Sequence, residues 1–235
     1  MKLFDITTEY LSDFVALLYP NHCEACEQPL GKGEDILCLL CQYELPQTDY
    51  HKEKDNPVEK LFWGRAEIQR AAGLYFFHGK TKVQNLLHKI KYRDRKEIAH
   101  KLGRMYGGLI KETDFANEVS LIVPVPLHEK KKRKRGYNQS DFFAMGLSES
   151  LGIEWSAKIL RRNIYTETQT GKTRFERWGN VGEVFELIEA KKLRGKHILL
   201  VDDVITTGAT LEACAHALLQ AEGAKVSIAT IAVAH

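Results

Sequence analysis

The chain has 235 residues, of which 44% are hydrophobic and 28% charged, and its formal net charge is +3. This length and composition allow one sizeable core with a small appendage, and the mild charge indicates no particular partner. No apolar run is long enough to cross a bilayer, and the first 20 residues lack a basic region before an apolar core, so we expect a cytoplasmic protein without membrane insertion.

The N-terminal part is predicted to begin with an amphipathic helix over residues 3–18 and to continue into a metal site. Four cysteines follow as Cys23-x-x-Cys26 and Cys38-x-x-Cys41. Because disulfides are rare in a reducing cytosol, two such pairs predict a tetrahedral Zn²⁺ site of four thiolates. Four cysteines close the coordination shell, which favours a structural zinc; a redox pair or unligated thiols is the alternative.

Apolar strands and amphipathic helices alternate in the remainder of the chain, which predicts a parallel α/β sheet flanked by helices. We expect a helix and zinc module over 1–50, a polar linker over 51–64 and the α/β domain over 65–235. The expected strands are 71–77, 121–125, 198–201 and 226–234, and the expected helices are 80–91, 96–111, 138–151 and 209–221.

The most informative segment follows the third of these strands. Ile198–Val201 is apolar and β-branched, which predicts a buried parallel strand. Asp202 and Asp203 stand where this strand is expected to end, and ligands of open α/β sheets bind beyond the carboxyl ends of the strands. Two carboxylates do not bind phosphate, but they suit vicinal hydroxyls, with Mg²⁺ as a candidate neighbour.

A small, hydroxyl-rich loop follows the acidic pair and leads into a predicted helix. The free N–H groups at a helix N-terminus, with a charge of about +0.5, suit a phosphate. A phosphate beside a diol describes a ribose 5-phosphate, whereas the plainer alternative is a surface turn with two solvated aspartates. The candidate phosphate-binding residues are Thr206, Thr207, Gly208, Ala209 and Thr210.

A run of six basic residues, Lys130–Arg135, follows the strand at 121–125 and is expected to form a second loop at a strand's carboxyl end. Arginine binds phosphates in bidentate fashion, so Arg133 and Arg135 are candidates for a pyrophosphate, together with the adjoining Asn138 and Gln139. The alternative is a solvated charge run, which would also suit nucleic acid or an anionic partner.

The segment Val201–Thr210 resembles the signature of type I phosphoribosyltransferases that binds 5-phosphoribosyl-1-pyrophosphate (PRPP). Over nearly the whole chain, the order of the motifs resembles the ComF family of phosphoribosyltransferase-like proteins. The motifs are, in order, a zinc module, Pro-x-Pro, Arg-x-Arg-Gly-Tyr-Asn-Gln and this signature. The resemblance also includes the segments Ile90-Lys91-Tyr92 and Leu160-Arg161-Arg162, with Gln169, Arg174 and Asn180-Val181 after the latter.

The resemblance implies a PRPP-binding protein that transfers a phosphoribosyl group with Mg²⁺ and releases pyrophosphate, with a role in natural transformation. Asp202 and Asp203 would be the catalytic residues, although an adjacent pair does not reveal which one transfers a proton. The segment 163–180 is either a mobile flap or a surface loop, and neither the role of Gln169 nor the acceptor is indicated by the sequence. The alternatives are a PRPP-responsive binding protein and a single-stranded-DNA-binding accessory of DNA uptake, with DNA or proteins of the uptake machinery as partners.

Overall fold

The computed structural model describes residues 20–79, 81–163 and 184–234. The helix predicted over 3–18 therefore lies outside the described residues, as do Gln169, Arg174 and Asn180-Val181. Contacts divide the chain into two compact units, Met1–Leu45 and Pro46–His235.

The N-terminal unit is organised around its cysteines. A turn after Cys23 is closed by the Glu27 N–H, which donates to the Cys23 carbonyl oxygen at 2.8 Å. Helix α1, Leu39–Glu44, begins at Cys38, whose sulfur accepts the N–H of Cys41 at 3.4 Å. Cys23 and Cys41 are fully buried. These elements bring the two cysteine pairs together.

The second unit is built on a four-stranded parallel sheet with the order β1-β6-β5-β2. Two further strands, β3 and β4, form an antiparallel pair. Helices lie along the parallel sheet, which confirms the predicted fold class. The strands are β1 Ala71–Phe77, β2 Leu121–Pro124, β3 Leu160–Arg162, β4 Phe185–Leu187, β5 His197–Ile205 and β6 Lys225–Ala234.

The helices of this unit cover the regions where the sequence predicts them, with two additions, the short helix α2 at Pro57–Lys60 and the basic helix α5 at Glu129–Arg135. Short 3₁₀ turns occur at Tyr50–Lys52, Asp114–Ala116 and Ala190–Leu193. The α-helices are α2 Pro57–Lys60, α3 Lys82–Tyr92, α4 Lys96–Lys111, α5 Glu129–Arg135, α6 Gln139–Leu151 and α7 Ala209–Leu218.

Helix α2 lies in the segment predicted as a linker, and α5 shows that the basic run forms a helix where the sequence predicts a loop. His128 caps its start by accepting the Lys130 N–H at 3.1 Å, and Gly136 ends it with a φ of 86°. Lysine and arginine are good helix formers, and the run contains neither glycine nor proline. None of the helix residues is buried, so the charges extend from an exposed helix.

The segment before β1 packs against the sheet. Asn56 caps α2 and donates from Nδ2 to the Ala71 carbonyl oxygen at 2.9 Å. Val58 and Phe62 are buried in the main core. The boundaries 1–50, 51–64 and 65–235 stay a prediction about separable parts, but the segment 51–64 contributes core residues to the larger unit.

Candidate functional site

The acidic pair lies near the carboxyl end of β5, with Asp203 buried and Asp202 half-buried. Two side chains converge on Oδ2 of Asp203. Lys91 of α3 places its Nζ 3.1 Å from this oxygen, and Gln139 of α6 donates to it from Nε2 at 2.9 Å. Arg135 donates in turn to Oε1 of Gln139. The basic helix and the acidic pair are therefore joined through Gln139.

Asp202 is held by donors that carry no charge. Its Oδ1 accepts the Ser140 hydroxyl at 2.8 Å and the backbone N–H of Asp203 at 2.9 Å. Burial, and then the neighbouring charge of Asp203, raises the pKa of Asp202 to about 7. A carboxyl group that titrates near neutral pH is suited to proton transfer.

The loop after β5 has a backbone conformation that depends on a glycine. Gly208 has a φ of 75° and stands at the start of α7, and Thr206 and Thr207 are exposed. A side chain at Gly208 would be strained by this backbone conformation, and its Cβ would lie 3.3 Å from the ring of Phe62. The loop therefore places small residues and two exposed threonines at a helix N-terminus, and its assignment to a phosphate stays a prediction.

Arg65 supports this loop and was not predicted from the sequence. Its Nη1 donates to the carbonyl oxygens of Thr207 at 3.0 Å and Leu61 at 2.8 Å. Its Nη2 forms an ion pair with Glu212 in the first turn of α7. The guanidinium group thus offsets an acidic side chain that would otherwise oppose an anion at this helix N-terminus.

The predicted basic candidates take different positions. Arg135 and Gln139 belong to the network around Asp203, whereas Arg133 is exposed to solvent. Asn138 is buried and donates to the Val125 carbonyl oxygen at 3.0 Å, and to Asp141. These bonds join the residue after β2 to the first turn of α6, so Asn138 holds together the two ends of the connection that contains α5.

An open groove of about 370 Å³ lies beyond the end of β2. Its walls combine apolar side chains such as Leu127 and Leu160 with the cationic Lys132 and Arg161. The acidic pair and the phosphate loop are not among its lining residues. The groove is therefore separate from the acidic pair and from the loop after β5.

The four predicted metal-binding cysteines form one cluster, with all their sulfurs within 4.8 Å of one another. Burial opposes ionisation of Cys23, but backbone N–H groups directed at its sulfur outweigh burial and lower its pKa to about 7. In the described part of the chain this is the only group of three or more His, Cys, Asp or Glu residues suited to a metal. The cluster has the donor set to hold a metal ion such as zinc.

No helix within residues 20–79, 81–163 and 184–234 combines the length and the apolar character needed to span a membrane.

The chain is similar in sequence to known proteins. The profile of the phosphoribosyl transferase domain covers residues 107–235. DNA utilization protein YhgH of Salmonella typhimurium is 34% identical over 226 residues, which are 90% of this chain and 96% of that protein. Competence protein F of Haemophilus influenzae is 30% identical over 198 residues, 80% of this chain and 86% of that protein.

Solved structures give a weaker likeness. The allosteric regulatory enzyme of purine biosynthesis aligns with 60% of this chain and 29% of its own, at 21% identity and a TM-score of 0.41.

The domain match defines a phosphoribosyltransferase-type protein of the type I fold. With relatives similar over most of their length, the chain belongs to the ComF family of phosphoribosyltransferase-like proteins.

Proposed function

We propose that this protein binds PRPP and transfers its phosphoribosyl group to an acceptor, with Mg²⁺ and release of pyrophosphate, in the cytoplasm. The observation that carries the proposal is the acidic pair near the carboxyl end of β5, two residues before the proposed phosphate loop that opens α7. That arrangement supplies hydroxyl acceptors and phosphate donors within the single segment 202–210, which matches the 5-phosphoribosyl half of PRPP.

Each part of the site has a role in this proposal. Residues 206–210 bind the 5-phosphate through backbone N–H and hydroxyl groups. Asp202 and Asp203 accept hydrogen bonds from the ribose hydroxyls. Arg135 lies beside Gln139 and is the cation that we assign to the pyrophosphate. Arg133, Asn138 and Gln139 complete the proposed substrate-binding set.

The reaction breaks the bond between ribose C1 and the pyrophosphate oxygen and forms a bond from C1 to the acceptor. The electron pair of the broken bond leaves with pyrophosphate, and the acceptor loses a proton. Asp202 is the base that we assign to this proton, because its pKa is raised to about 7. Mg²⁺ would be held mainly by substrate phosphates and supply charge for the leaving group.

A four-thiolate zinc in the N-terminal unit is the structural cofactor in this proposal. The donors fit Zn²⁺ because four clustered sulfurs leave no open coordination position. An association with natural transformation is supported by the names of the relatives, one a competence protein and another a DNA utilization protein.

Calorimetric titration with PRPP, with and without Mg²⁺, tests the proposal. We expect Mg²⁺-dependent binding by the wild-type protein and none by the double variant Asp202→Asn, Asp203→Asn. Asp55→Asn is the matched control, since Asp55 is an exposed carboxylate of the same unit. Unchanged PRPP affinity in the double variant would contradict the hydroxyl-binding assignment. If the wild-type protein binds PRPP, release of pyrophosphate in a screen of acceptors would establish catalysis.

Single-stranded DNA is a second candidate ligand, which one observation favours. The basic helix α5 lies beside an aromatic ring: the Arg135 guanidinium carbon is 5.8 Å from the ring centroid of Tyr92, whose side chain is 68% exposed. Cations that bind phosphates and an exposed ring that stacks on bases are the two parts of a single-strand site.

Fluorescence anisotropy of an oligothymidine at several salt concentrations tests this second candidate. Replacing Lys130, Lys132 and Lys134 by alanine should flatten the salt dependence, because fewer counterions are released. Tyr92→Ala should weaken binding without changing that slope. Alanines at the exposed Lys191 and Lys192 are the control, and an unchanged slope in the α5 variant would exclude this helix as the DNA contact.

A further inference from the structure

We infer that Lys91 is a positioning residue of the ribose site, which holds Asp203 so that one carboxylate oxygen stays available for a ribose hydroxyl. The inference rests on the proposed function and assigns Lys91 a role within the same site. Lys91 is the penultimate residue of α3, far along the chain from the acidic pair.

The first step is the double anchoring of one oxygen. Oδ2 of Asp203 has Lys91 Nζ at 3.1 Å and Gln139 Nε2 at 2.9 Å. The Asp203 side chain is 8% exposed, and the Lys91 side chain is 27% exposed. With two donors from two different helices on one oxygen, rotation of the carboxylate would break both contacts. The orientation of Oδ1 is therefore fixed.

The second step is the matching arrangement at Asp202. Its Oδ1 accepts both the Ser140 hydroxyl and the Asp203 N–H, at 2.8 and 2.9 Å. Within the described chain, neither Oδ2 of Asp202 nor Oδ1 of Asp203 accepts a hydrogen bond. The protein thus occupies one oxygen of each carboxylate and leaves the other. Two available oxygens on neighbouring residues correspond to the two hydroxyls of a vicinal diol.

The third step is that both anchors of Asp203 belong to one fixed substructure. Helix α3 buries Val83, Leu86, Leu87 and Ile90. The hydroxyl of Tyr137 donates to the carbonyl oxygen of Ile90, which ties the last turn of α3 to the segment leading into α6. Lys91 and Gln139 therefore contact Asp203 from two helices whose relative position is fixed by this hydrogen bond. A side chain placed in this way positions its partner rather than contacting the reacting atoms.

Comparing two sugar phosphates separates this role from general scaffolding. Ribose 5-phosphate and 2-deoxyribose 5-phosphate share the phosphate and differ in one hydroxyl. Their affinities would be measured by ¹H–¹⁵N NMR titration for the wild-type protein, Lys91→Met and Lys91→Arg. Lys225→Met is the matched control, because Lys225 also pairs with a carboxylate, Glu118 at 3.0 Å, but on the surface.

We expect the wild-type protein to prefer ribose 5-phosphate by about tenfold, since one hydrogen bond to a charged group is lost with the deoxy sugar. Lys91→Met should remove this preference and leave the affinity for 2-deoxyribose 5-phosphate unchanged. Lys91→Arg should retain the preference at least in part, and Lys225→Met should behave like the wild type.

Three results would overturn the inference, and they are distinguishable. Equal weakening of both sugars by Lys91→Met would make Lys91 a scaffold residue. If Lys91→Met still prefers ribose 5-phosphate over 2-deoxyribose 5-phosphate, Lys91 has no role in recognition of the ribose hydroxyls. Failure of the wild-type protein to bind either sugar phosphate, or to distinguish them, would contradict the proposed ribose site itself.

Discussion

Arg65 donates a hydrogen bond of 3.0 Å from Nη1 to the carbonyl oxygen of Thr207, across 142 residues of the sequence. Phe62, in the same segment, lies beneath Gly208. Two side chains from the segment between α2 and β1 therefore support a loop that follows β5. This gives the segment a direct connection to the proposed phosphate site.

We predict that Arg65→Met weakens PRPP binding by about tenfold, because both the support of the Thr207 carbonyl and the charge that balances Glu212 are lost. Titration calorimetry at constant ionic strength measures the effect. Arg194→Met is a suitable control, since Arg194 forms an ion pair with Glu222 at 3.0 Å on the surface. If Arg65→Met binds PRPP as tightly as the wild-type protein, Arg65 has no part in shaping the phosphate loop.

The stability of the protein should fall as the pH rises towards neutrality, because of Asp202. Burial and the charge of Asp203 raise its pKa from 3.8 to about 7. Between pH 3.8 and about pH 7, Asp202 is protonated in the folded protein and ionised in the unfolded chain. The favourable contribution is fully present below pH 3.8 and is lost as the pH rises through about 7.

Asp202→Asn should remove this pH dependence while keeping an oxygen for the Ser140 hydroxyl. We expect the variant to exceed the wild-type free energy of unfolding by about 2 kcal/mol at pH 8 and by less at pH 5. Urea unfolding at the two pH values measures the difference. An equal gain at both pH values would show that the carboxyl group does not titrate in this range.

The sequence predicted the elements of the fold better than the contacts of the site. Periodicity is a local property, so the apolar strand at 198–201 and the loop at 206–210 were recognisable from their neighbours alone. Ser140 contacts Asp202 across 62 residues and Arg65 contacts Thr207 across 142, and neither contact leaves a local pattern. Such partners are determined by the topology of the sheet.

Two further differences have physical causes. The sequence assigned Lys130–Arg135 to a loop because the run follows the strand at 121–125, but helix propensity and the caps at His128 and Gly136 favour a helix. The segment before β1 is polar by composition. Nevertheless, Arg70 pairs with Glu59 at 2.9 Å and Asn56 binds Ala71, so polar side chains hold this segment on the sheet.

Metal content should depend on the clustered cysteines and not on the fifth. We predict that Cys23→Ser reduces bound zinc from one equivalent to a small fraction, because one of four ligands is lost. Cys214→Ala is the control, since Cys214 is also buried but lies in α7. Elemental analysis of the purified proteins gives the ratio. Full zinc content in Cys23→Ser would mean that the ligand set is different.

The close crossing of α4 and α6 should depend on Gly146. A Cβ at this position would lie 2.1 Å from the carbonyl oxygen of His100 and 2.7 Å from the backbone nitrogen of Arg104. Backbone atoms cannot move aside as a flexible side chain does, so Gly146→Ala must separate the helices. Since α6 carries Gln139 and Ser140 at its start, the separation should also displace the donors that hold the acidic pair.

We expect Gly146→Ala to lower the free energy of unfolding by about 3 kcal/mol or more, through overpacking. Gly108→Ala is the matched control on α4, because a Cβ there meets no atom within 4 Å. That change should be neutral or should stabilise the protein by up to about 1 kcal/mol, since alanine favours a helix over glycine. Urea unfolding measures both, and similar stabilities for the two variants would contradict the close helix contact.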